Sequence, residues 1–403
     1  MERVVVTGVG VISALGSDTE EFRSSLFAGR SGIRPLTLVD PSLLRFTCGA
    51  EVLGYDFHSY MDDRTADVMD RFAQFAVVSA RAAVADAAIQ WTPHLREHTA
   101  VITGSCLGGQ TSQDAAFDDL YRAGRPHVHP LTIPRAMTNA GACHITMDFG
   151  VTGPSYTVST ACSSSAYAIG QAFWMVRSGA VAMAVTGGSE APFSEGILKA
   201  WDGLRVVSDD TCRPFSKHRR GMILGEGAAM FVLERRRAAL ARGAKIWAEI
   251  VGFGMSSDAS HITRPSPEGA AHAMRRALAD AKISSDAIGY INAHGTGTVA
   301  NDASESRAIR MVFEGHADRL AVSSTKSMHG HALGAASAIE AAATIMALRD
   351  GILPPTLNYV EPDPECALDV VPNQPRATQV EYAMSNSFAF GGMNAVLVFA
   401  ADR

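Results

Sequence analysis

The feature that most limits what this chain can fold into is an internal echo. Val158-Ser159-Thr160-Ala161-Cys162-Ser163 is answered 164 residues on by Val322-Ser323-Ser324-Thr325-Lys326-Ser327. Gly225-Glu226-Gly227-Ala228-Ala229-Met230-Phe231-Val232-Leu233 is answered 166 residues on by Gly391-Gly392-Met393-Asn394-Ala395-Val396-Leu397-Val398-Phe399. Small-residue helical stretches, Ala166–Arg177 and Leu333–Arg349, follow the two members of the first pair. One such match is what chance produces between small-residue turns; two at nearly the same offset point to a duplicated unit. Strand-like runs at Val4–Thr7, Ala100–Gly104 and Ala180–Thr186 alternate with helix-period segments such as Val68–Ala88, the pattern of an α/β fold. The expectation is two α/β halves, residues 1–240 and 241–403, with a seam near Arg235–Lys245. A chain of 403 residues, 47% of them hydrophobic, is long enough to bury both.

The first half of the echo carries a cysteine. Tyr156-Thr157-Val158 suits a short buried strand, and about fifteen residues then run without proline to Ser178-Gly179, where glycine can stop a helix. Ser159 or Thr160 can cap the helix start. Cys162 then stands at a strand-to-helix turn, facing unpaired backbone N–H groups and the positive end of the helix dipole. That setting lowers a thiol pKa and makes a nucleophile. The opposing reading is a small buried core residue.

Composition removes other classes. Net charge is −6 and no basic run stands out, which argues against nucleic acid as a partner. Lys217-His218-Arg219-Arg220 is either a solvated loop or a patch for an acidic protein. No apolar run reaches the length of a membrane span, and Met1-Glu2-Arg3 leads straight into Val4-Val5-Val6-Thr7, so no signal peptide is expected. Cys48, Cys106, Cys143, Cys162, Cys212 and Cys366 are scattered without a C-x-x-C pair, which fits a reduced cytoplasm. Gly8-x-Gly10 resembles the start of a dinucleotide fingerprint, but Ser13 stands where its third glycine belongs.

Four turns after apolar strands carry reactive side chains: Cys162; His294 in Asn292-Ala293-His294-Gly295-Thr296-Gly297-Thr298; Lys326, His329 and His331 in Ser324-Thr325-Lys326-Ser327-Met328-His329-Gly330-His331; and Asn386-Ser387-Phe388-Ala389-Phe390-Gly391-Gly392. Turns at the carboxyl ends of strands are where open α/β sheets place their sites. A cysteine with two histidines suits thioester chemistry: the thiolate accepts an acyl group, and imidazole N–H groups steady charge on a carbonyl oxygen. Backbone N–H groups of Phe390, Gly391 and Gly392 can supply an oxyanion hole. His329 and His331 lack third and fourth ligands nearby, so no metal is expected.

Together these motifs resemble the β-ketoacyl-acyl-carrier-protein synthases of the elongating, ketosynthase II type, within the thiolase superfamily, and the resemblance runs over essentially the whole chain. It implies a five-layered αβαβα fold built from two halves, and a dimer. By position, Cys162 resembles the acyl-accepting nucleophile, and His294 and His331 the pair that assists decarboxylation of a malonyl extender. Lys326 resembles the lysine that organises the site, with Glu305 and Glu340 as supporting acids. Phe390 resembles the gating phenylalanine whose N–H joins that of Cys162 in the oxyanion hole, and Leu107 a residue lining the acyl pocket. The implied reaction is ping-pong, extends an acyl chain by two carbons on an acyl carrier protein, and needs no cofactor beyond the carrier's phosphopantetheine.

Two positions depart from the resemblance. Ala389 and Met393 stand where fatty-acid enzymes usually carry Gly and Thr, which puts the gate's motion in question and leans towards type II polyketide or polyene synthesis. The alternatives are primary fatty-acid elongation, a non-catalytic chain-length-factor-like partner, and an acyltransferase that does not decarboxylate. The dimer is then either a homodimer or a heterodimer with a chain-length-factor-like subunit.

Overall fold

A computed structural model describes residues 2–402. Ten strands carry the fold. The first five are β1 (Val4–Ser13), β2 (Thr99–Gly104), β3 (Ser155–Val158), β4 (Met183–Glu190) and β5 (Gly227–Arg235). The second five are β6 (Ala248–Ser257), β7 (Ile288–Asn292), β8 (Ala321–Ser323), β9 (Tyr382–Phe388) and β10 (Met393–Ala400). Their spatial orders are β3-β2-β4-β5-β1 and β8-β7-β9-β10-β6, the same permutation twice. The strand senses also match. In each half the first strand runs antiparallel to the fifth and the fifth antiparallel to the fourth, while the fourth, second and third are parallel. The two sheets join at one edge, where Val4, Val5 and Val6 pair with Ile250, Glu249 and Ala248.

Helices complete five layers. α1 (Arg71–Asp86) and α2 (Ala140–Phe149) cover the outer face of the first sheet, and α4 (Pro267–Ala281), with α5 (Val299–Phe313) beside it, covers the second. Between the sheets lie α3 (Ser164–Ser178) and α6 (Ala336–Asp350), each touching strands of both. Every residue of α6 from Ala336 to Leu348 is buried, which explains why it shows no amphipathic stripe.

The duplication is written into two packing details. Ser165 Oγ lies 2.7 Å from Ser337 Oγ, Ala166 N–H donates to Ser337 Oγ at 2.9 Å, and Ala338 N–H donates to Ser165 Oγ at 2.9 Å. These reciprocal bonds mark a local two-fold relation between α3 and α6. The second detail is a Gly-x-Gly in the first strand of each half. A Cβ on Gly8 or Gly10 would stand 2.0 Å from the carbonyl of Ala83 or Ser79 on α1. One on Gly252 or Gly254 would meet Ala277 O at 2.4 Å or Ala273 O at 2.2 Å on α4. Gly8-x-Gly10 thus lets a helix lie close to the sheet.

Three local expectations are corrected. β3 forms, but Ser155 and Tyr156 are exposed, because β3 is the outermost strand of its sheet. β4 spans Met183–Glu190, passing through Gly187-Gly188, where the strand-like sequence run is Ala180–Thr186. Those glycines admit neighbours: a Cβ on Gly187 would meet Ala229 O at 2.0 Å, and one on Gly188 would meet Ser165 Cβ at 2.6 Å. α3 begins at Ser164 behind Ser163, and neither Ser159 nor Thr160 caps it. Instead the single Ser163 hydroxyl proton is shared between Thr160 O at 2.8 Å and Met393 O at 2.9 Å, tying the cysteine turn to β10.

Candidate active site

The turn between β3 and α3 holds Cys162 by strain. Ala161, just before it, has φ of 52°, a left-handed conformation that a non-glycine residue holds only where its surroundings impose it. Ser164 Oγ accepts from Thr160 N–H at 2.9 Å and donates to Ala161 O at 2.6 Å, which locks the turn.

The loop after β7 brings His294 to the same point. Its direction is set by Glu305, on α5, which accepts from the N–H groups of His294 at 2.9 Å and Gly295 at 2.8 Å. Asn386 Nδ2 donates to the same carboxylate at 3.2 Å. The loop after β8 supplies His331. Sγ of Cys162 and one ring nitrogen from each of His294 and His331 lie within 4.8 Å of one another, and all three residues are buried. The imidazole rings stand edge to face with centroids 5.4 Å apart.

Hydrogen bonds assign the tautomers. Leu333 N–H donates to His331 Nδ1 at 3.1 Å, and Lys326 Nζ lies 3.3 Å from His294 Nδ1, so each ring keeps its proton on Nε2. Burial, reinforced by the Lys326 charge, pushes both histidines well below the ordinary range, so both are neutral near pH 7. Lys326 is fully buried, donates to His294 O at 2.7 Å, and pairs with Glu340. Burial raises the Glu340 carboxyl to about 7 despite that neighbour. His329 stays apart from the chemistry: its Nε2 is 2.9 Å from Thr325 Oγ1, and burial takes it down to about 3.

The thiol departs from the expected activated thiolate. Burial raises Cys162 to about 11, outweighing the Lys326 charge and the N–H of Phe390, both of which favour the anion. A helix N-terminus facing a dry site does not replace lost solvation. The N–H groups of Phe390 and of Cys162 itself are directed at the thiol. The glycines that follow are not free donors: Gly391 N–H donates to Ile262 O at 2.7 Å and Gly392 N–H to Ala389 O at 3.0 Å. Their φ angles, 82° and 70°, serve the tight turn that aims Phe390. Ala389 is extended at φ −102°, so that turn holds without glycine there, and the Phe390 ring stacks on Trp201.

A cavity of about 210 Å³ opens above these residues, with Cys162, His294 and His331 at its buried end. Trp201, Leu204, Met222 and Phe388 supply apolar walls, and Thr296 and Thr298, their hydroxyls 2.9 Å apart, a polar one. Leu107 does not line this cavity. It packs with Phe193, Leu198 and Leu333, while its N–H donates to Glu190 at 3.2 Å. Met222 belongs to both groups of residues.

Glu190 escaped sequence reasoning. Fully buried, it accepts from Ser105 Oγ and from the N–H groups of Cys106, Leu107 and Gly334, pinning the two halves together behind Cys162. An acid closing an apolar strand was the available signal. Lys217-His218-Arg219-Arg220 is no open basic patch: Lys217 and His218 both meet Glu361, and Arg219 is buried against Asp363. A Cys/His/His set also has the donors of a zinc site. Here the buried Lys326 charge beside His294 opposes a second cation.

Residues 1–239 match the family described as β-ketoacyl synthase, N-terminal domain, and residues 247–360 match β-ketoacyl synthase, C-terminal domain. Nodulation protein E of Rhizobium sp. (strain N33) is 45% identical over 397 residues, covering 98% of each chain. 3-Oxoacyl-[acyl-carrier-protein] synthase 2 of Staphylococcus aureus (strain COL) is 40% identical over 405 residues, 99% of this chain and 98% of that one. The ishigamide ketosynthase/chain length factor structure superposes with a TM-score of 0.95 at 38% identity, over 100% of both chains. The chain belongs to the β-ketoacyl synthase family, with the thiolase-like fold of its ketosynthases. It is a condensing acyltransferase, a 3-oxoacyl-acyl-carrier-protein synthase.

Proposed function

We propose that Cys162 holds the growing acyl chain and that His294 and His331 generate the attacking carbanion, in a specialised type II polyketide or polyene pathway. The observation that carries the division of labour is the meeting of one thiol with two neutral imidazoles whose free donors are both Nε2–H. In the first half-reaction the Cys162 sulfur displaces the carrier's thiol from the acyl thioester, and the departing sulfur takes up the cysteine proton. The N–H groups of Cys162 and Phe390 receive the carbonyl oxygen as it becomes an oxyanion. In the second, malonyl carrier protein loses carbon dioxide, and the electron pair of the broken bond passes into an enolate. The two Nε2–H groups hold that enolate oxygen without giving up their protons. Its carbon attacks the acyl-enzyme, the Cys162 sulfur leaves as a thiolate that takes up one proton from water to restore the thiol, and a 3-oxoacyl carrier protein departs.

Lys326 keeps the His294 ring in register, and Glu305 fixes the backbone beneath it. Decarboxylation supplies the electron pair, so the balance calls for no redox cofactor and no metal. The partners are an acyl carrier protein and a second subunit, either another copy or a chain-length-factor-like chain of the kind named with the ishigamide ketosynthase. Its six free cysteines fit a reducing cytoplasm, and no helix among the described residues is long and apolar enough to cross a membrane. The specialised assignment rests on Ala389 and Met393 in the gating turn and on 45% identity to nodulation protein E against 40% to the Staphylococcus aureus 3-oxoacyl-[acyl-carrier-protein] synthase 2.

The test is intact-protein mass spectrometry after incubation with short saturated, long saturated and polyunsaturated acyl carrier proteins, with peptide mapping of the adduct. An adduct on Cys162, preferentially from the polyunsaturated chains, is the expected result. Preference for long saturated chains would return the protein to primary fatty-acid elongation, and an adduct elsewhere would overturn the nucleophile.

A further inference from the structure

The exposed part of the cavity lining is the loop His261-Ile262-Thr263-Arg264, with Leu204 and Ala300. Of the residues lining the cavity, Arg264 alone carries a permanent charge; no carboxylate and no lysine joins it. The cavity is therefore electrically lopsided, neutral where Cys162, His294 and His331 meet and cationic at its mouth. Arg264 has no carboxylate within ion-pair distance among the described residues. The loop's own acid is engaged elsewhere: Asp258 accepts from Ser266 N–H at 2.9 Å and Asn394 Nδ2 at 2.7 Å. An unpaired guanidinium at the mouth of a passage that otherwise offers only neutral groups is a place for an anion.

The loop has a fixed relation to the chemistry. Gly391 N–H donates to Ile262 O at 2.7 Å and Asp258 N–H to Gly392 O at 3.0 Å, so the strand of chain bearing Arg264 is bonded to the turn bearing Phe390. His261 Nδ1 accepts from the N–H groups of Thr263 at 3.1 Å and Arg264 at 3.2 Å, which folds the loop tip on itself.

We infer that Arg264 binds the phosphate of the phosphopantetheine arm, setting how far the arm reaches towards Cys162 and selecting thioesters that carry that phosphate over those that lack it. This rests on the proposed acyl transfer to Cys162. The arm is a linear chain with a thioester at one end and a phosphate at the other, matching a cavity with a thiol at its floor and one guanidinium at its mouth. Arg264 is a positioning residue, since it touches the carrier of the substrate and not the reacting atoms. The same phosphate chemistry is presented by an acyl carrier protein and by coenzyme A.

The experiment measures Cys162 acylation by octanoyl-pantetheine and octanoyl-phosphopantetheine, with the full-length enzyme, over a range of concentrations. In the parent, KM should be lower for the phosphorylated thioester by about tenfold, the size of one charge-assisted contact at a solvent-open site. In R264Q that ratio should collapse to about one, and in R264K it should return part of the way, because a point charge without the planar fork keeps some of the attraction. The maximal acylation rate should change little, so the effect reads as KM and not as kcat. A ratio retained in R264Q, or a KM raised equally for both thioesters, overturns the inference. Octanoyl-coenzyme A and octanoyl carrier protein then separate the two sources. A loss in R264Q with both supports a phosphate site used by the carrier; a loss with coenzyme A alone overturns that use. Failure of the parent to acylate Cys162 with any of the four would instead sink the proposed function, a separate outcome.

Discussion

Lys326 Nζ donates to the carbonyl oxygen of His294 at 2.7 Å and sits 3.3 Å from that ring's Nδ1, while its remaining contact is with Glu340. One buried ammonium thereby fixes the position, tautomer and neutrality of the imidazole. It also leaves a carboxylate dependent on it in the core, since Glu340 meets Lys326 through Oε1 and its Oε2 has no hydrogen-bond partner among the described residues.

Removing that cation should therefore be costly twice over. K326M leaves Glu340 buried and unpaired, and stability should fall by roughly 3–5 kcal/mol. The double variant K326M/E340L removes both charges and should recover much of that loss without recovering condensation. Urea denaturation with a parallel condensation assay checks both. If the double variant is no more stable than K326M, the pair is not the cause.

The thiol gives a pH prediction with a definite sign. Cys162 titrates at about 11 in the folded protein against 9.0 for an ordinary thiol. Its alkylation by iodoacetamide should accordingly still be accelerating between pH 9 and pH 10, an order-of-magnitude expectation from a burial-raised thiol. The unfolded chain loses this proton first, so the thiol's contribution to stability is present below about pH 9 and declines as the pH rises through about 11. An alkylation rate already level by about pH 8 would mean that the thiolate is stabilised as free activated cysteines are.

Ser165 and Ser337 form the joint between the halves. S337A removes the acceptor of Ala166 N–H and should cost about 1–3 kcal/mol, because a buried donor is left without a partner. S165A should cost a similar amount through Ala338 N–H, and the double variant less than the sum, since each serine is also the other's partner. Denaturant midpoints for the three variants decide it; strict additivity would show that the two serines act independently.

The gating turn yields a kinetic prediction. Ala389 occupies extended backbone that glycine is not needed for, and A389G should loosen the closed turn by about 0.5–1 kcal/mol. Where opening limits loading, Cys162 acylation should accelerate roughly two- to fivefold. Stopped-flow loading by a long-chain thioester measures this, and an unchanged or slower rate contradicts a stiffened gate.

What could be read from the sequence was local. Cys162, His294, Lys326 and His331 stand in turns whose flanking strands and helices declare themselves over a dozen residues, so their arrival at one place followed from the α/β pattern. The echo between strands β3 and β8 was visible at 164 residues, yet α3 and α6 superpose Ser165 on Ser337, 172 residues apart. Extra chain around Lys326–His331 intervenes, and that loop is what carries the second histidine. Properties set by the whole assembly stayed hidden. The exposure of Tyr156 depends on β3 being an edge, and the raised thiol on burial outweighing the helix terminus. Gly8-x-Gly10 read in the sequence only as the start of an incomplete dinucleotide fingerprint; that its missing Cβ atoms admit the carbonyls of α1 depends on how the helix lies on the sheet.

The most direct test pairs two readings on H294A: acyl adduct at Cys162 by intact mass, and labelled carbon dioxide released from malonyl carrier protein. The variant should load its acyl group as the parent does and release no carbon dioxide above background, so acylation and decarboxylation come apart at one side chain. Release at the parent's rate, or a variant that cannot be acylated at all, would contradict the division of labour between Cys162 and the two histidines.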